Sequence, residues 1–369
     1  MARRLNGEGT IYQRSDGLYI YELSVPQLDG STKRKRITAR DPDRLQKKIN
    51  DLKHTLGQGI ITDSYNMTLN SWIEIWLELY VDTKVKSTTY DNYKYAYETH
   101  IKNSIGKNKI ENITPSLIQM FVNTLAEKGL AVSTIKKPVI VINRAFKKAV
   151  LNNVVMHNPC HDIEFPKKPP KVVVAMTKDE QKRFANACPD TTYGRLFRFA
   201  LNTGMRNGEI LALSWEDVDF DNKIINVKNT AVRINNREDN PKVKVITEIH
   251  SAKTDSGIRS IPMTNEAYAI LKKQREISTV FCFESTNGKI LDKRNIAKAL
   301  SKVLKTADDI QTEVTMHVLR HSFATRLLEK GANIKAVSQI LGHKSIQITL
   351  DTYAHVLPDL KFDTINLLN

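Results

Sequence analysis

Apolar and polar positions alternate along the first part of the chain and then change period. Residues 7–14 and 18–25 alternate, and Ser15-Asp16-Gly17 between them is a turn signal. Asp29-Gly30 marks a second tight turn, ahead of a third, very basic strand over 33–38. From residue 42 the spacing becomes helical, with Leu45, Ile49 and Leu52 on one face of a helix reaching residue 56. Three strands and a helix predict a small sheet domain over residues 1–62. The next segment, 66–165, is helical. Leu69, Trp72, Ile73, Trp76 and Tyr80 form one stripe, and Tyr90, Tyr93, Tyr97 and Ile101 form another. The tyrosines read as core residues rather than base-stacking platforms. Thr114-Pro115 supplies an N-cap and a first-turn proline ahead of Ile118, Phe121, Val122 and Leu125, and Gly129 closes that helix. Ser133-Thr134 opens a fourth helix with Ile142, Phe146 and Val150 inward. Four such helices make a bundle.

Proline and lysine crowd residues 164–171, which read as an extended linker. The last segment, 176–369, is mostly helical with a small antiparallel sheet. Thr177-x-x-Glu180 is a capping box. Gly204 ends one helix and Arg206 starts the next. A strand covers 223–227, and the turn Asp255-Ser256-Gly257 puts Lys253 at a hairpin tip. His317 and Arg320, three apart, share a helical face. Gly331 ends their helix, residues 334–341 form another closed by Gly342, and 349–355 are a last helical stretch. The predicted fold class is multidomain α+β. It comprises a three-stranded sheet with one helix, a helical bundle, and a mostly α domain with a small antiparallel sheet.

Charge changes this picture from a fold to a partner. The chain of 369 residues carries 56 Lys+Arg against 40 Asp+Glu, a formal net charge of +16. Each of the three segments is basic, so the excess suits a polyanion gripped along its length more than one sticky arm. Nucleic acid is the first candidate, because cations gain from counterion release on phosphate backbones. On the basic strand the candidate contacts are Lys33, Arg34, Lys35 and Arg36, since a sheet can enter the major groove. In the bundle they are Lys136, Lys137, Arg144, Lys147 and Lys148. For each the plain alternative is a solvated face, which on an edge strand also deters aggregation. No run of about 18 apolar residues occurs, so neither a spanning helix nor a membrane partner is expected. No secretory signal is visible at the start, and three scattered cysteines fit a reducing compartment, so a cytoplasmic location is expected. His157-Asn-Pro-Cys160-His161 has ligand types but lacks the second half of a zinc site, so no metal is expected there.

One ordered set of residues carries chemistry. It comprises Arg206 within Thr-Gly-Met-Arg-x-Gly-Glu, then Lys253, then His317-x-x-Arg320 within His-x-Leu-Arg-His-Ser-Phe-Ala-Thr. Leu341-Gly-His343 follows, and Tyr353 lies ten residues after His343. Each piece alone is common, and the set in order is specific. It resembles the tyrosine recombinases, also called phage-type integrases. The resemblance runs through residues 176–356. The helical segment is similar to the family's core-site-binding domain. The front sheet is similar to the arm-site-binding domain of lambda-type and conjugative-transposon integrases, which members that resolve chromosome dimers lack.

The residue types suit phosphodiester cleavage. A phosphodiester's negative charge repels nucleophiles, and two guanidiniums can grip its nonbridging oxygens and offset the charge of a five-coordinate transition state. The resemblance implies Arg206 and Arg320 in that role and Tyr353 as nucleophile. A free tyrosine has a pKa near 10 and needs a base, and the implied base is His317. Lys253 would protonate the departing 5′ oxygen, His343 would hydrogen-bond the phosphate, and Glu209 would support the site. The products would be a 3′-phosphotyrosine and a free 5′-hydroxyl, leading through a Holliday junction to integration or excision of a mobile element. No cofactor, metal ion or ATP is implied. The implied partners are double-stranded core and arm attachment sites and a homotetramer on DNA, with an excisionase and a DNA-bending host protein as helpers. His321 and His355 read as packing or helix-end residues. The apolar tail over 354–369 reads as packing on a neighbouring protomer. A chromosome-dimer resolvase of the same chemistry, and a DNA-binding regulator with a helix-turn-helix over 334–347, are the competing readings. A type IB topoisomerase shares the chemistry, but nothing here resembles its additional domains.

Overall fold

Gly17, at φ 81°, turns the chain from β1 (Thr10–Gln13) into β2 (Tyr19–Pro26). A left-handed backbone is open to glycine at no Cβ cost, which is why the Ser-Asp-Gly signal works. β3 (Thr32–Ala39) pairs antiparallel with β2, in register Tyr19↔Ala39 through Pro26↔Thr32, so β3 is an edge strand. Asp41 accepts from the Asp43 amide and opens α1 (Pro42–Gly57). Leu45 and Ile49 of α1 bury against Tyr21, Leu23 and Ala39 of the sheet. The computed structural model describes residues 9–26, 32–57, 67–167, 174–237, 243–251, 257–353 and Ile365. The Asp29-Gly30 turn, part of the linker, Lys253 and the tail, apart from Ile365, lie outside them.

The chain divides into two compact units, residues 1–169 and 170–369. Within the first, the front sheet and the helical part have separate cores. The helices are α2 (Leu69–Trp76), α3 (Ser87–Ala96), α4 (Pro115–Glu127) and α5 (Val132–Leu151). Both tyrosine-bearing stripes are helical, but each runs on into a wider π turn, Leu77–Val81 and Tyr97–Ile101. Trp72 is buried and its indole N–H donates to the Ala145 carbonyl at 2.8 Å, which satisfies its one polar atom. Thr114 caps α4 with Pro115 behind it, as its sequence predicts. α5 starts one residue before Ser133, with no side-chain cap.

The second unit begins with the Thr177 capping box and α6 (Lys178–Ala187). α7 (Thr192–Thr203) supplies the core residues Leu196, Phe197, Phe199 and Ala200. α8 (Asn207–Leu211), β4 (Val218–Asp219), β5 (Ile224–Val227), β6 (Asn229–Asn235), β7 (Val245–Ser251) and β8 (Arg259–Pro262) follow. Among the described residues the expected single sheet is two: β4-β5-β8 and the ribbon β6-β7. The hairpin predicted around Lys253 is therefore corrected. β7 pairs β6 and β8 pairs β5, so the described strands on either side of Lys253 belong to different sheets. A turn signal is local and does not say which strands pair; Ile261 must bury with Ile225, and that places β8. α9 (Asn265–Arg275), α10 (Lys293–Thr306), α11 (Met316–Glu329), α12 (Ile334–Leu341) and α13 (Ile346–Tyr353) are its remaining helices among the described residues. Among the described residues no helix is long and apolar enough to cross a membrane.

Candidate active site

Two left-handed glycines set the frame. Gly204, at φ 62°, stops α7, and Gly342, at φ 67°, stops α12. Each leaves terminal carbonyls without helical partners and exposes the negative end of a helix dipole. Arginines fill those positions. Arg320 on α11, 2 % exposed, donates from Nη1 to the Gly204 carbonyl at 2.8 Å and from Nη2 to the Leu341 carbonyl at 2.7 Å. Arg206, at the start of α8, donates from Nη2 to the Gly342 carbonyl at 2.9 Å. Its Nη1 donates to Glu209 Oε1 at 2.7 Å, while Glu209 Oε2 accepts the Arg206 backbone amide at 2.8 Å.

A third arginine, unmarked by any sequence motif, completes the group. Arg259 opens β8 with its side chain buried, and it meets Glu209 through its two terminal guanidinium nitrogens, at 3.1 and 2.8 Å. Its Nε donates to the Ile340 carbonyl at 2.5 Å. A signal for it exists in the sequence. Arg259 and Ile261 are two apart on one strand, so a charge stands on the face that buries Ile261.

Three guanidiniums and one carboxylate leave net positive charge. Burial, and then the neighbouring Arg206 charge, bring the Arg320 pKa down to about 9, still protonated at neutral pH. Burial raises the Glu209 pKa, but the hydrogen bond and charge of Arg259 and the charge of Arg206 outweigh it, so Glu209 stays ionised. An anion among these groups would offset the mutual repulsion.

The histidines divide their work. His343 follows Gly342, and its Nδ1 lies 2.8 Å from Thr349 Oγ1. Burial first, then the charges of Arg320 and Arg206, push its pKa down to about 4, so it is neutral at pH 7. A neutral ring that accepts from the threonine hydroxyl at Nδ1 keeps its proton on Nε2 as a donor. His317 and His321, one turn apart on α11, stand edge-to-face with ring centroids 4.4 Å apart.

Arg206, Glu209, His317, Arg320 and His343 line one cleft of about 500 Å³. Gly257, four residues after Lys253, also lines it, and Lys253 itself is outside the described residues. A larger cavity, about 730 Å³, lies by Tyr193, Lys298 and Val303, but its wall holds no convergent titratable set. Tyr353 is 1 % exposed and packs with Ala324, Leu328, Val337 and Leu341. Its helix neighbours Ile348 and Thr352 line the cleft, whereas Tyr353 does not. The Tyr353 hydroxyl lies 2.9 Å from His321 Nδ1. His321, expected in a packing role, is thus the residue on the hydroxyl. Thirty-two positions separate the two, so no local spacing pairs them. Burial pushes the Tyr353 pKa up to about 12, with the Arg320 charge pulling the other way. Among the described residues, no group of three His, Cys, Asp or Glu side chains is placed to hold a metal ion.

The candidate DNA contacts are separate from this cleft in the chain. Arg34 and Arg36 are exposed on β3, and Arg36 is tied to Glu22 at 2.7 Å. The side chains of Lys33 and Lys35 lie outside the described set. On α5, Arg144 sits over the Tyr93 ring at 5.5 Å and Lys148 over Tyr80 at 5.3 Å. Lys136 sits over Phe165 at 5.1 Å, and Lys137 and Lys147 are exposed.

Known proteins share this chain's pattern over nearly its whole length. A tyrosine recombinase XerC-like protein of Caldanaerobacter subterraneus is 29% identical over 366 residues, covering 92% of this chain and 93% of that protein. The transposase from transposon Tn916 of Enterococcus faecalis is 28% identical over 396 residues, covering 97% of this chain and 93% of the other. The fold matches the Tn1549 transposon integrase, solved with circular intermediate DNA, at TM-score 0.67, 24% identity, and coverage of 82% of this chain and 100% of that one. Residues 68–126 match the N-terminal SAM-like domain of phage integrases. Residues 175–359, half of the chain and the whole of the cleft described above, match the phage integrase family. The chain belongs to the phage integrase family.

Proposed function

We propose that the protein is a site-specific DNA recombinase that integrates and excises a mobile element through a 3′-phosphotyrosine intermediate. The observation that carries the reading is convergence. Arg206 from the start of α8, His317 and Arg320 from α11, and His343 from the turn that ends α12 come to one cleft, and the helix bearing Tyr353 forms part of its wall. The two arginines grip the scissile phosphate, and the His343 Nε2 proton is donated to a nonbridging oxygen. The Tyr353 oxygen attacks phosphorus as the bond to the 5′ oxygen breaks. The tyrosyl proton passes to His317, and the departing 5′ oxygen takes a proton from Lys253. Attack by the 5′-hydroxyl of a partner strand then regenerates the tyrosine. The ester conserves the energy of the cut, so the step runs without ATP, and the guanidiniums supply the charge a metal ion would.

Tyr353 has to leave its place on His321 to reach the phosphate, so α13 moves when DNA is engaged. The full-length likeness to the Tn916 transposase supports a mobile-element role, with the front sheet on arm sites and the helical segment on core sites. A lambda integrase tetramer has been solved on a Holliday junction, at TM-score 0.61 and 19% identity to this chain, and we propose the same assembly here. The XerC-like relative keeps chromosome-dimer resolution as the second reading.

Covalent trapping tests the proposal. The protein is mixed, in EDTA and without ATP, with nicked fragments of the DNA flanking its own gene. An adduct that survives denaturation and is lost in Tyr353→Phe is expected. Tyr353→Phe keeps the ring, so its stability cost is about 1 kcal/mol and DNA binding persists. Tight binding with no adduct from the native protein would instead support a regulator.

A further inference from the structure

Three successive carbonyls at the end of α12 are each held by a different arginine. Ile340 accepts from Arg259, Leu341 from Arg320, and Gly342 from Arg206. Two of these arginines line the cleft, and Arg259 does not. It lies behind them, on β8, with its side chain 7% exposed. Its two outer nitrogens hold both oxygens of Glu209, and Glu209 holds both the side chain and the backbone amide of Arg206. Arg259 therefore ties one strand of the sheet to the two pieces that must agree about the position of a phosphate. One is the start of α8 with Arg206. The other is the turn that carries His343.

We infer that Arg259 is a positioning residue for strand cleavage, which orients Arg206 through Glu209 and sets the His343 turn through the Ile340 carbonyl. The inference rests on the recombinase reading and names a residue beyond the implied catalytic set. A planar five-donor fork suits the task, because one side chain must satisfy two carboxylate oxygens and the carbonyls of Ile340 and Gly257 in fixed directions; the lysine ammonium is a single point charge on a flexible stem. A role confined to stability predicts something different. A buried ion pair can be replaced by an apolar side chain at little cost, provided no partner charge is stranded.

Single-turnover cleavage of a nicked core-site fragment by the full chain separates the two. For Arg259→Met we expect DNA affinity within about twofold of native and an adduct-forming rate down about 10- to 100-fold, the scale of a small misplacement at a reacting centre. Arg259→Lys, tested the same way, keeps the charge and stays slow; it carries the test if the methionine variant does not fold. A neutral methylphosphonate at the scissile position should shrink the deficit, because a linkage without charge depends less on where the guanidiniums sit. In the Glu209→Gln background, Arg259→Met should add little, because both changes break one chain of contacts. A folded Arg259→Met that cleaves at the native rate overturns the inference. So does a deficit that is equal on charged and neutral linkages, or that adds fully to Glu209→Gln. Absence of adduct from the native protein is a separate outcome, which overturns the recombinase reading and this inference with it.

Discussion

His343 shows how much a single side chain's surroundings decide. Its pKa is pushed down to about 4 by burial and then by the arginine charges beside it. In the unfolded chain it titrates near 6.5. Between those values the unfolded state binds the proton and the folded state does not, so stability falls as pH drops from about 6.5 toward 4. The size is on the order of 1 kcal/mol, because the ring is only half buried and solvent screens it. Urea unfolding at pH 7 and pH 5 should show a smaller loss in His343→Gln than in the native protein. Equal losses would mean that the ring titrates as a free histidine. The motif carrying His343 was legible as text, as were Arg206, Arg320 and Tyr353. His321 and Arg259 were not, and for a physical reason. Their partners, Tyr353 and Glu209, lie 32 and 50 positions away, and tertiary packing alone brings them together. Only the charge on the buried face of β8 hinted at Arg259.

At the scale of elements, the ends of helices matter more here than their middles. The Thr177 capping box, the Thr114-Pro115 start and the glycines at 129, 204, 331 and 342 placed the ends of their helices, because each satisfies orphan backbone groups locally, whereas α9 and α10 went unread. Strand partners were less legible. No residue of β7 is fully buried, one face being partly covered and the other mostly exposed, so its alternation does not say whether it joins β8 or β6. Gly204 is the element end on which the site depends most. A Cβ there would stand 2.3 Å from Phe323 Cδ1, and the backbone is left-handed. Left-handed backbone alone costs a non-glycine residue roughly 1–2 kcal/mol. Gly204→Ala is therefore expected to lower unfolding free energy by about 2 kcal/mol or more once the contact with Phe323 is included. Its carbonyl accepts from Arg320, so the strain reaches the cleft. Denaturant melts and single-turnover cleavage, measured on one preparation, should both decline. Gly129, also left-handed but with nothing within 4 Å of where a Cβ would stand, should tolerate alanine with a smaller loss and unchanged cleavage.

The whole molecule adds a question of charge. A formal +16 shared among three basic segments means that DNA affinity should fall steeply with salt, with a slope of about −0.9 in log–log form per phosphate contacted. If the front sheet binds arm sites, a chain lacking residues 1–62 still engages a short core fragment with nearly native slope, because those phosphates belong to the other segments. On a long fragment holding core and arm sites the same truncation should flatten the slope and remove the bridging of two DNA segments. Bridging converts a second binding event into an intramolecular one, so its loss should cost recombination on long sites far more than cleavage of short ones. The truncated chain should therefore still form the Tyr353 adduct. Equal salt slopes, and equal recombination by both proteins on long and short sites, would mean that Arg34 and Arg36 are the solvated edge of a sheet. The chromosome-dimer reading would then gain, since that task needs core sites alone. Tyr12 and Arg36 both contact Glu22, so part of the strand's charge is already spent within the sheet. For that reason Arg34→Ala should weaken arm binding more than Arg36→Ala, with filter binding on an arm fragment as the measure.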